Sequence, residues 1–518
     1  MHEVKSEPYS YHTFIFPFTW RGQDFKTFVR YFDDNNCWNN FDMLDEQNIC
    51  SNSMITKRDE LLSLYKEYQY FHPYARKAIY GFEEGIVRNY SFMYEKVHNK
   101  AHYYIEKNNK KYDLHVNSIK LKIYNTGVAL FILEAENYGV SEKGVLQNTF
   151  DDVKNINEYG RRISMPVLKD INLCADSLEL KIGNISFKDN FMAYIEKVKK
   201  MDNITSDDIK LTDISNVIRE VLCYRGDYNI SPIPILDDRM YVMCIAKDSK
   251  AIIECTDEGS KSAYEFAYID PAGECTCHDK GMRKELLDKA LYKRWCDWNS
   301  YYYITNYSFM YLTEDDVPPH LVESFLTQYY QMGCLTIAQR ASIMNFKREV
   351  TSIAAGLEKK GKTLSMPSVN SIMDLQERFV AFESQLFFDE VSSEQQAIEI
   401  YDMLKQALLI EKEKDSLKSQ LESMYTISDT TNGFGINKIM LIFTWISGVM
   451  SFASIIMTMM QIEGFKNIQC LKWLNLTGPA DSDGAGVGII VAMSLLLVIL
   501  VSVLVTVYIL IRYRRKKG

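Results

Sequence analysis

The chain has 518 residues, 47% hydrophobic and 25% charged, with a formal net charge of −9. That balance supports a folded core over a disordered polymer, and the acidic excess argues against a dedicated nucleic-acid binder, which needs a basic surface to neutralise phosphates, while leaving room for one local basic pocket. Eleven cysteines, an odd number scattered from Cys37 to Cys470, read as reduced thiols.

The opening residues, MHEVKSEPYSYHTFIFPFTW, combine an early Glu, polar breaks and a Pro, so no secretory signal is expected there. HTFIFPF at His12–Phe18 reads as an aromatic strand, and Met54–Ala78 as helix until Pro73 interrupts it. SIKLKIYNTGVALFILEAE, Ser118–Glu136, holds two β-rich runs around Asn125-Thr126-Gly127, a hairpin signal. LFIL within it is apolar on both faces, which predicts a central strand with cover on each side. Further strands are predicted at Leu178–Phe187, Met240–Ile245, Ser262–Ile269 and Ser300–Leu312, with helices near Val145–Tyr159 and Gly281–Arg294 between them. Interleaved strands and helices predict an α/β domain over residues 1–315.

From Pro319 the character changes. His320–Leu357 and Ser371–Ser423 are free of Pro and rich in Glu, Lys, Gln, Leu and Met. They predict long helices that extend from the body as a stalk, residues 316–435, and associate with copies of themselves. Two charge-free runs follow, Ile439–Met460 and Gly486–Ile511, each exceeding the roughly 20 residues that span a bilayer. RYRRKKG after the second predicts a cytosolic tail. The expected layout is a first span at 436–461, an outer loop at 462–485, a second span at 486–511 and a basic tail at 512–518, with both termini cytosolic.

In the first run Thr444, Ser447, Ser451, Ser454 and Thr458 are three, four, three and four residues apart. A spacing of about 3.5 residues keeps one seam facing a bundle centre, and the seam extends to Asn437, Met440 and Gln461. Polar groups at membrane depth line water or face a bundle interior. Small hydroxyl residues also let helices pack closely, so a pore lining and a packing seam are equal readings.

No phosphate-binding Gly-x-x-x-x-Gly-Lys-Ser/Thr loop, nucleophile elbow or His-Glu-x-x-His motif occurs, so no enzyme is expected. Two basic pairs, Arg76 with Lys77 and Arg161 with Arg162, are candidate phosphate ligands; the alternative is ordinary complementation of helix C-termini. Cys275, Cys277 and His278 in ECTCHD lack a second ligand pair at zinc spacing and read as a surface turn.

The order of parts resembles the CorA family of divalent cation channels: an α/β cytosolic domain, long helices, a pore-lining span, a short loop, a second span and a basic tail. Asn437, Met440, Thr444 and Ile446 match the family's Asn-x-x-Met-x-x-x-Thr-x-Ile pattern. Where the family carries Gly-Met-Asn at the outer mouth, this chain has Gln461, Ile462 and Glu463, a departure that removes the magnesium-binding signature. FHPYARKAIYGFEEGIVRNYSF, SIKLKIYNTGVALFILEAENY and NINEYGRRIS resemble the CorA-like membrane effectors of type III CRISPR systems. The resemblance implies a homo-oligomer, a pentamer by family habit, in the inner membrane. It implies a pore lined by Asn437, Met440, Thr444, Ser447, Ser451, Ser454 and Thr458, with Gln461 and Glu463 at the mouth. The partners it implies are the lipid bilayer, divalent cations and a small nucleotide messenger, either a conjugate of S-adenosylmethionine with AMP (SAM-AMP) or a cyclic oligoadenylate. The alternatives are a housekeeping magnesium or other divalent cation transporter, and a membrane-tethered binding module without a pore.

Overall fold

The computed structural model describes residues 7–22, 24–41, 58–81, 85–163, 174–193, 196, 215–226, 230–359, 366–424, 426, 444–448, 450, 451 and 454. In chain order the elements are β1 (Ser10–Thr19), α1 (Phe25–Asp33), β2 (Trp38–Asn40), α2 (Arg58–Tyr70), α3 (Pro73–Tyr80), β3 (Val87–Phe92), α4 (Tyr94–Lys100), β4 (Ala101–Lys107), β5 (Lys110–Tyr124) and β6 (Val128–Asn137). Then come α5 (Phe150–Gly160), β7 (Ser177–Ile182), β8 (Ile185–Asn190), α6 (Asn216–Cys223), β9 (Ile233–Pro234), β10 (Tyr241–Lys247), α7 (Ser249–Cys255), α8 (Lys261–Tyr268), α9 (Lys280–Ala290), β11 (Leu291–Tyr292), β12 (Tyr301–Ile304) and β13 (Ser308–Thr313). The helical part holds α10 (Pro319–Ser324), a π turn (Phe325–Tyr329), α11 (Tyr330–Lys359), α12 (Met366–Gln385) and α13 (Gln395–Ala407), with residues 410–424 also helical. The chain divides into two compact units, Met1–Thr351 with Leu375–Ser419, and Ser352–Asp374 with Gln420–Gly518.

All the described strands belong to one 13-stranded sheet whose main path runs β11-β12-β13-β10-β1-β6-β5-β4-β7-β8. Only the β10–β13 ladder is parallel among those described. β1 sits at the middle because HTFIFPF offers apolar side chains to both faces. Its one Pro falls where it is harmless: pairing with β10 ends at Ile15 and pairing with β9 begins at Phe18, so Pro17 is needed as a donor on neither.

The two faces differ. On one, Phe14, Phe16 and Phe18 of β1 join Leu114, Val116, Ile119 and Leu121 of β5 and Phe131 and Leu133 of β6 in the main hydrophobic core. This face is covered by α1, α5, α6 and α8 through Phe28, Val153, Val217 and Phe266. α5 starts sharply because Thr149 and Asp152 form a reciprocal capping box. The other face is more polar, carrying Glu134, Lys120 and Lys122, and it receives α11. Lys122 Nζ donates to Gln331 Oε1 at 3.1 Å, and Thr126 Oγ1 meets Ser342 Oγ at 2.6 Å. Gly333 is required by the close approach of helix and sheet, since a Cβ there would lie 2.9 Å from Met243 Sδ.

Several expectations are corrected. The long helices are not simply a stalk: α11 up to Thr351, most of α12 and all of α13 belong to the same unit as the sheet. α11 is buried on opposite sides, its Phe346 packing edge-on to Phe379 of α12 and its Gln339 donating to Tyr401 Oη of α13 at 2.8 Å. Residues 332–339 and 341–343 are buried without a break, so this part of the helix is covered nearly all round. Ser262–Ile269 is helix, not strand. Ser260 caps it by accepting from Ala263 N, and Ala263, Phe266 and Ala267 suit a helical repeat as well as an alternating one.

The fold class of an α/β domain with a stalk and two transmembrane helices, and with it an inner-membrane location through two spans, is also corrected. No helix among the described residues is long and apolar enough to cross a membrane. The longest, α11, carries Arg340, Lys347, Arg348 and Glu349 in its course, which a lipid-exposed span does not tolerate. The run 486–511 lies outside the described residues. So does the run 436–461, except 444–448, 450, 451 and 454.

One buried histidine offers a test of the sheet's centre. Ser10 Oγ accepts from Asn137 Nδ2 at 3.2 Å, which directs its own proton to His12 Nε2 at 2.9 Å, so the ring carries its proton on Nδ1 and donates to Asn157 at 2.7 Å. Burial pushes the His12 pKa down from 6.5 to about 4. Between those values the unfolded chain binds the proton and the folded one does not, so stability falls as the pH drops through that window, by up to about 1.4 kcal/mol per pH unit. Urea unfolding of wild type and His12→Gln across pH 7 to about 4 will show this slope in the wild type and its loss in the variant; equal slopes would remove His12 as its source.

Candidate functional site

A cavity of about 150 Å³ lies on the polar face of the sheet. Its walls come from α2 (Leu64, Glu67), α3 (Ile79, Tyr80), β3 (Asn89, Tyr90, Ser91), β5 (Lys120, Leu121, Lys122) and the first residues of α11 (Tyr330, Gln331), with Phe41 and Tyr94 completing it. Strand alternation places Lys120 and Lys122 on one face, since residues two apart point the same way. β3 pairs with this half of β5, Ser91 opposite Lys120 and Asn89 opposite Lys122, which brings the polar residues of both strands together.

The polar groups inside form a chain. Lys122 Nζ donates to the Ile79 carbonyl at 3.0 Å and to Gln331 Oε1 at 3.1 Å. Gln331 Nε2 donates to Glu67 Oε1 at 2.8 Å, and Tyr80 Oη donates to the same oxygen at 3.0 Å. Burial pushes the Glu67 carboxyl above its ordinary pKa against the opposing pull of these donors and of Lys120 and Lys122. Burial works to lower the Lys120 ammonium, but the Glu134 carboxylate at 2.8 Å outweighs it and holds the pKa up. Lys120 Nζ also stands 5.1 Å from the centre of the Tyr330 ring, a cation–π distance.

Tyr330 is buried, and its hydroxyl has no well-formed hydrogen bond among the described residues. It lines this cavity and a second one of about 140 Å³ that includes Tyr11, Asn117, Glu134, Glu136 and Phe325. Tyr330 and the Lys120–Glu134 pair thus partition two neighbouring spaces. Phe41 and Tyr94, only partly buried, place their ring centroids 6.3 Å apart at 36° on the first cavity's wall. A site with two ammonium groups, a carboxyl held toward its neutral form and tyrosine faces suits a small, planar, anionic ligand.

The predicted site residues lie elsewhere. Arg76 stacks over Tyr68 at 4.2 Å and donates from Nε to the Phe71 carbonyl at 2.8 Å. Lys77 follows it on α3, the helix that carries Ile79 and Tyr80 to the cavity, but neither basic residue lines it. Arg161 and Arg162 share one carboxylate: Glu158 Oε2 accepts from Arg161 Nε and Oε1 from Arg162 Nε, both at 2.8 Å. Arg161 also donates to the Ile269 carbonyl at 3.2 Å. Their fork geometry is spent on holding the end of α5 to its surroundings. Cys275 and Cys277 are buried free thiols, and the Cys277 carbonyl accepts from Arg283 at 2.7 Å. The turn they form is structural, though it lies deeper than a surface turn.

Among the expected pore positions, Thr444, Ser447, Ser451 and Ser454 are helical and exposed in this single chain. Asn437, Met440, Thr458, Gln461 and Glu463 lie outside the described residues. The residues that sequence reasoning missed are Glu67, Lys120, Lys122, Tyr330 and Gln331. Lys120 and Lys122 were visible as an alternating pair in the predicted hairpin, which also holds Glu134, the partner of Lys120, but the Ile79 carbonyl and Gln331 that accept from Lys122 are 43 and 209 residues away in sequence.

Gln331 is the joint between α11 and the cavity. Gln331→Leu leaves Glu67 with the Tyr80 hydroxyl alone of its two donors and takes one acceptor from Lys122. The expected cost is about 1–3 kcal/mol, read as a lower urea midpoint at unchanged slope; an unchanged midpoint would mean that the strap contributes nothing.

No family model matches the chain, and no curated protein does. One solved structure, a CorA magnesium transporter from Methanocaldococcus jannaschii, is similar at 13% identity over 54% of this chain and 95% of its own, with a TM-score of 0.19. That is a weak likeness to a CorA protein, and at this TM-score it carries no argument about activity.

Proposed function

We propose that this chain is a nucleotide-responsive effector of the CorA-like kind, acting as a homo-oligomer with a transport-related output in type III CRISPR defence. The sheet-bearing unit is its sensor, and the messenger is SAM-AMP or a cyclic oligoadenylate. The observation that supports this reading is the cavity closed by Tyr330 and Gln331 at the very start of α11. At about 150 Å³ the cavity takes one adenine or phosphate group of such a messenger, the rest staying outside, and that group displaces or recruits side chains that already hold the helix, so binding free energy is directed at one end of a 30-residue helix. Lys120 and Lys122 suit phosphate charge, and the tyrosines suit a base or ribose face. The carboxyl of Glu67, which burial pushes toward its neutral form, suits a base edge that offers both donors and acceptors, because a protonated carboxyl presents one of each. No membrane span is part of this reading.

Calorimetric titration of the full chain with SAM-AMP, cyclic tetra-adenylate and cyclic hexa-adenylate tests it. One of these is expected to bind, and Tyr94→Ala, which changes a partly exposed wall residue, is expected to weaken binding at least tenfold, about 1.4 kcal/mol. Lys122→Met is expected to abolish it. Absence of heat with all three ligands, or binding untouched by Tyr94→Ala, would sink the proposal at this cavity.

A further inference from the structure

On the same face of the sheet, away from the cavity, His102 of β4, Asp113 of β5 and Glu142 of the loop after β6 bring one ligand-capable atom each to within 4.8 Å of one another. We propose that His102 Nε2 and Glu142 form an exchangeable site for a divalent metal ion of the zinc class, with Asp113 orienting the imidazole from its other nitrogen. The inference is independent of the nucleotide reading.

The roles follow from the distances. Asp113 Oδ1 stands 2.8 Å from His102 Nδ1, so the imidazole donates there and Nε2 is left as the acceptor, the arrangement that fixes metal-binding histidines. Asp113 is itself held, because its Oδ2 accepts from the Glu142 amide at 3.0 Å. Gln147 binds the Asp113 backbone on both sides, accepting from its N–H at 3.0 Å and donating to its carbonyl at 2.7 Å. The ring of Tyr104 lies nearly parallel to that of His102, at 11° and 5.8 Å.

On the open side, His102 Nε2 and Glu142 Oε1 are 3.3 Å apart. Two ligand atoms at about 2.0–2.1 Å from a tetrahedral zinc ion stand roughly 3.3–3.4 Å from each other, so an ion fits between them with little movement. The loop that presents Glu142 is preorganised: the Gly144 amide donates to the Ser141 carbonyl, the Ser141 amide to the Val145 carbonyl and the Gln147 amide to the Gly139 carbonyl. The Glu142 carboxylate is 64% exposed, which leaves the remaining coordination positions to water and gives an entry path. An imidazole donor selects zinc, cobalt or nickel over magnesium. Lys181, the cross-strand neighbour of His102, works against the ion, and together with the two-residue ligand set it makes the site a weak and exchangeable one. Occupancy would tie β4, β5 and the loop together through one centre.

The test is a zinc titration of the chelator-treated full chain against a chromophoric competitor, with cobalt as a spectroscopic probe. The expected result is one zinc ion whose affinity falls at least tenfold in Glu142→Gln and in His102→Gln, and 10–100-fold in Asp113→Asn. The cobalt spectrum is expected to lack a thiolate charge-transfer band. Failure of the wild type to compete for zinc, equal affinity in Glu142→Gln, or a thiolate band assigning the ion to cysteines would each overturn the proposal. Glu142 is exposed, so its variant keeps the test decisive even where His102→Gln fails to fold.

Discussion

β5 is the strand on which the rest of the molecule depends, and a single irregularity in it does most of the arranging. It is 15 residues long, and its register against β6 shifts between Val116 and Ser118. Before the shift its other edge pairs with β4, and after it with β3. A β-bulge adds one residue and bends the strand, so one strand serves two neighbours in succession and the sheet branches. Because the bulge also changes parity, Asp113 and His115 before it share a face with Ser118, Lys120 and Lys122 after it. The core residues Leu114, Val116, Ile119, Leu121 and Ile123 all fall on the opposite face. Without the extra residue, the lysines would point into the hydrophobic core.

Putting charge on a covered face has a cost, and the molecule meets it by pairing. Lys120 faces Glu134, Lys154 faces Glu265 at 2.7 Å, and Arg161 and Arg162 face Glu158. Buried pairs of this kind contribute little net stability, because desolvation cancels most of the attraction, while breaking one leaves an isolated charge that is strongly destabilising. They act mainly as register keys. Glu158 fixes where α5 ends, Lys154 fixes α5 against α8, and Glu134 fixes β6 against β5. The Lys122–Gln331–Glu67 chain uses neutral intermediates instead of direct ion pairing. A neutral amide between an ammonium and a carboxyl can be rearranged without stranding a full charge, which suits a place where a ligand is to enter.

Much of the sheet was legible from local pattern. HTFIFPF, the hairpin about Asn125-Thr126-Gly127 and the double-sided LFIL run correspond to β1, β5, β6 and a strand buried on both faces. These signals are local: alternation, turn chemistry and β-branched content. Three features were not legible. SAYEFAYI satisfies both a two-residue and a helical repeat, and the Ser260 cap decides for helix. The long helices look like free rods because the surface that covers α11 comes from the sheet and from Phe379, Phe382 and Tyr401, all remote in sequence. The cavity was missed for the same reason. Arginine pairs attract attention in a sequence because they are adjacent, yet adjacency is what lets both reach Glu158 and neutralise each other's use. Lys120 and Lys122 acquire meaning only when β3 and α11 arrive beside them.

A second irregularity meets the first at the cavity. α11 is entered through a π turn at Phe325–Tyr329, which inserts one residue into the helical ladder just before Tyr330. The insertion rotates all that follows relative to α10, and the two residues directly after it are those that close the cavity. On the opposing strand, the bulge precedes Lys120 by three residues. Both one-residue insertions weaken regular hydrogen bonding, and each sets the phase of one partner in the Lys120–Tyr330 contact at 5.1 Å. Regular elements on both sides would have left an apolar helix on an apolar sheet. The insertions instead bring an ammonium, a buried phenol and a carboxamide strap to one place, so local regularity is lost where chemistry is gained. Converting the π turn to regular α-helix would rotate Tyr330 and Gln331 together, against the packing of Phe325 and Tyr329 on Phe309 and Tyr302. Any ligand that competes for Gln331 or Lys122 therefore acts on α11 at its first turn, directly after the π turn that sets its phase.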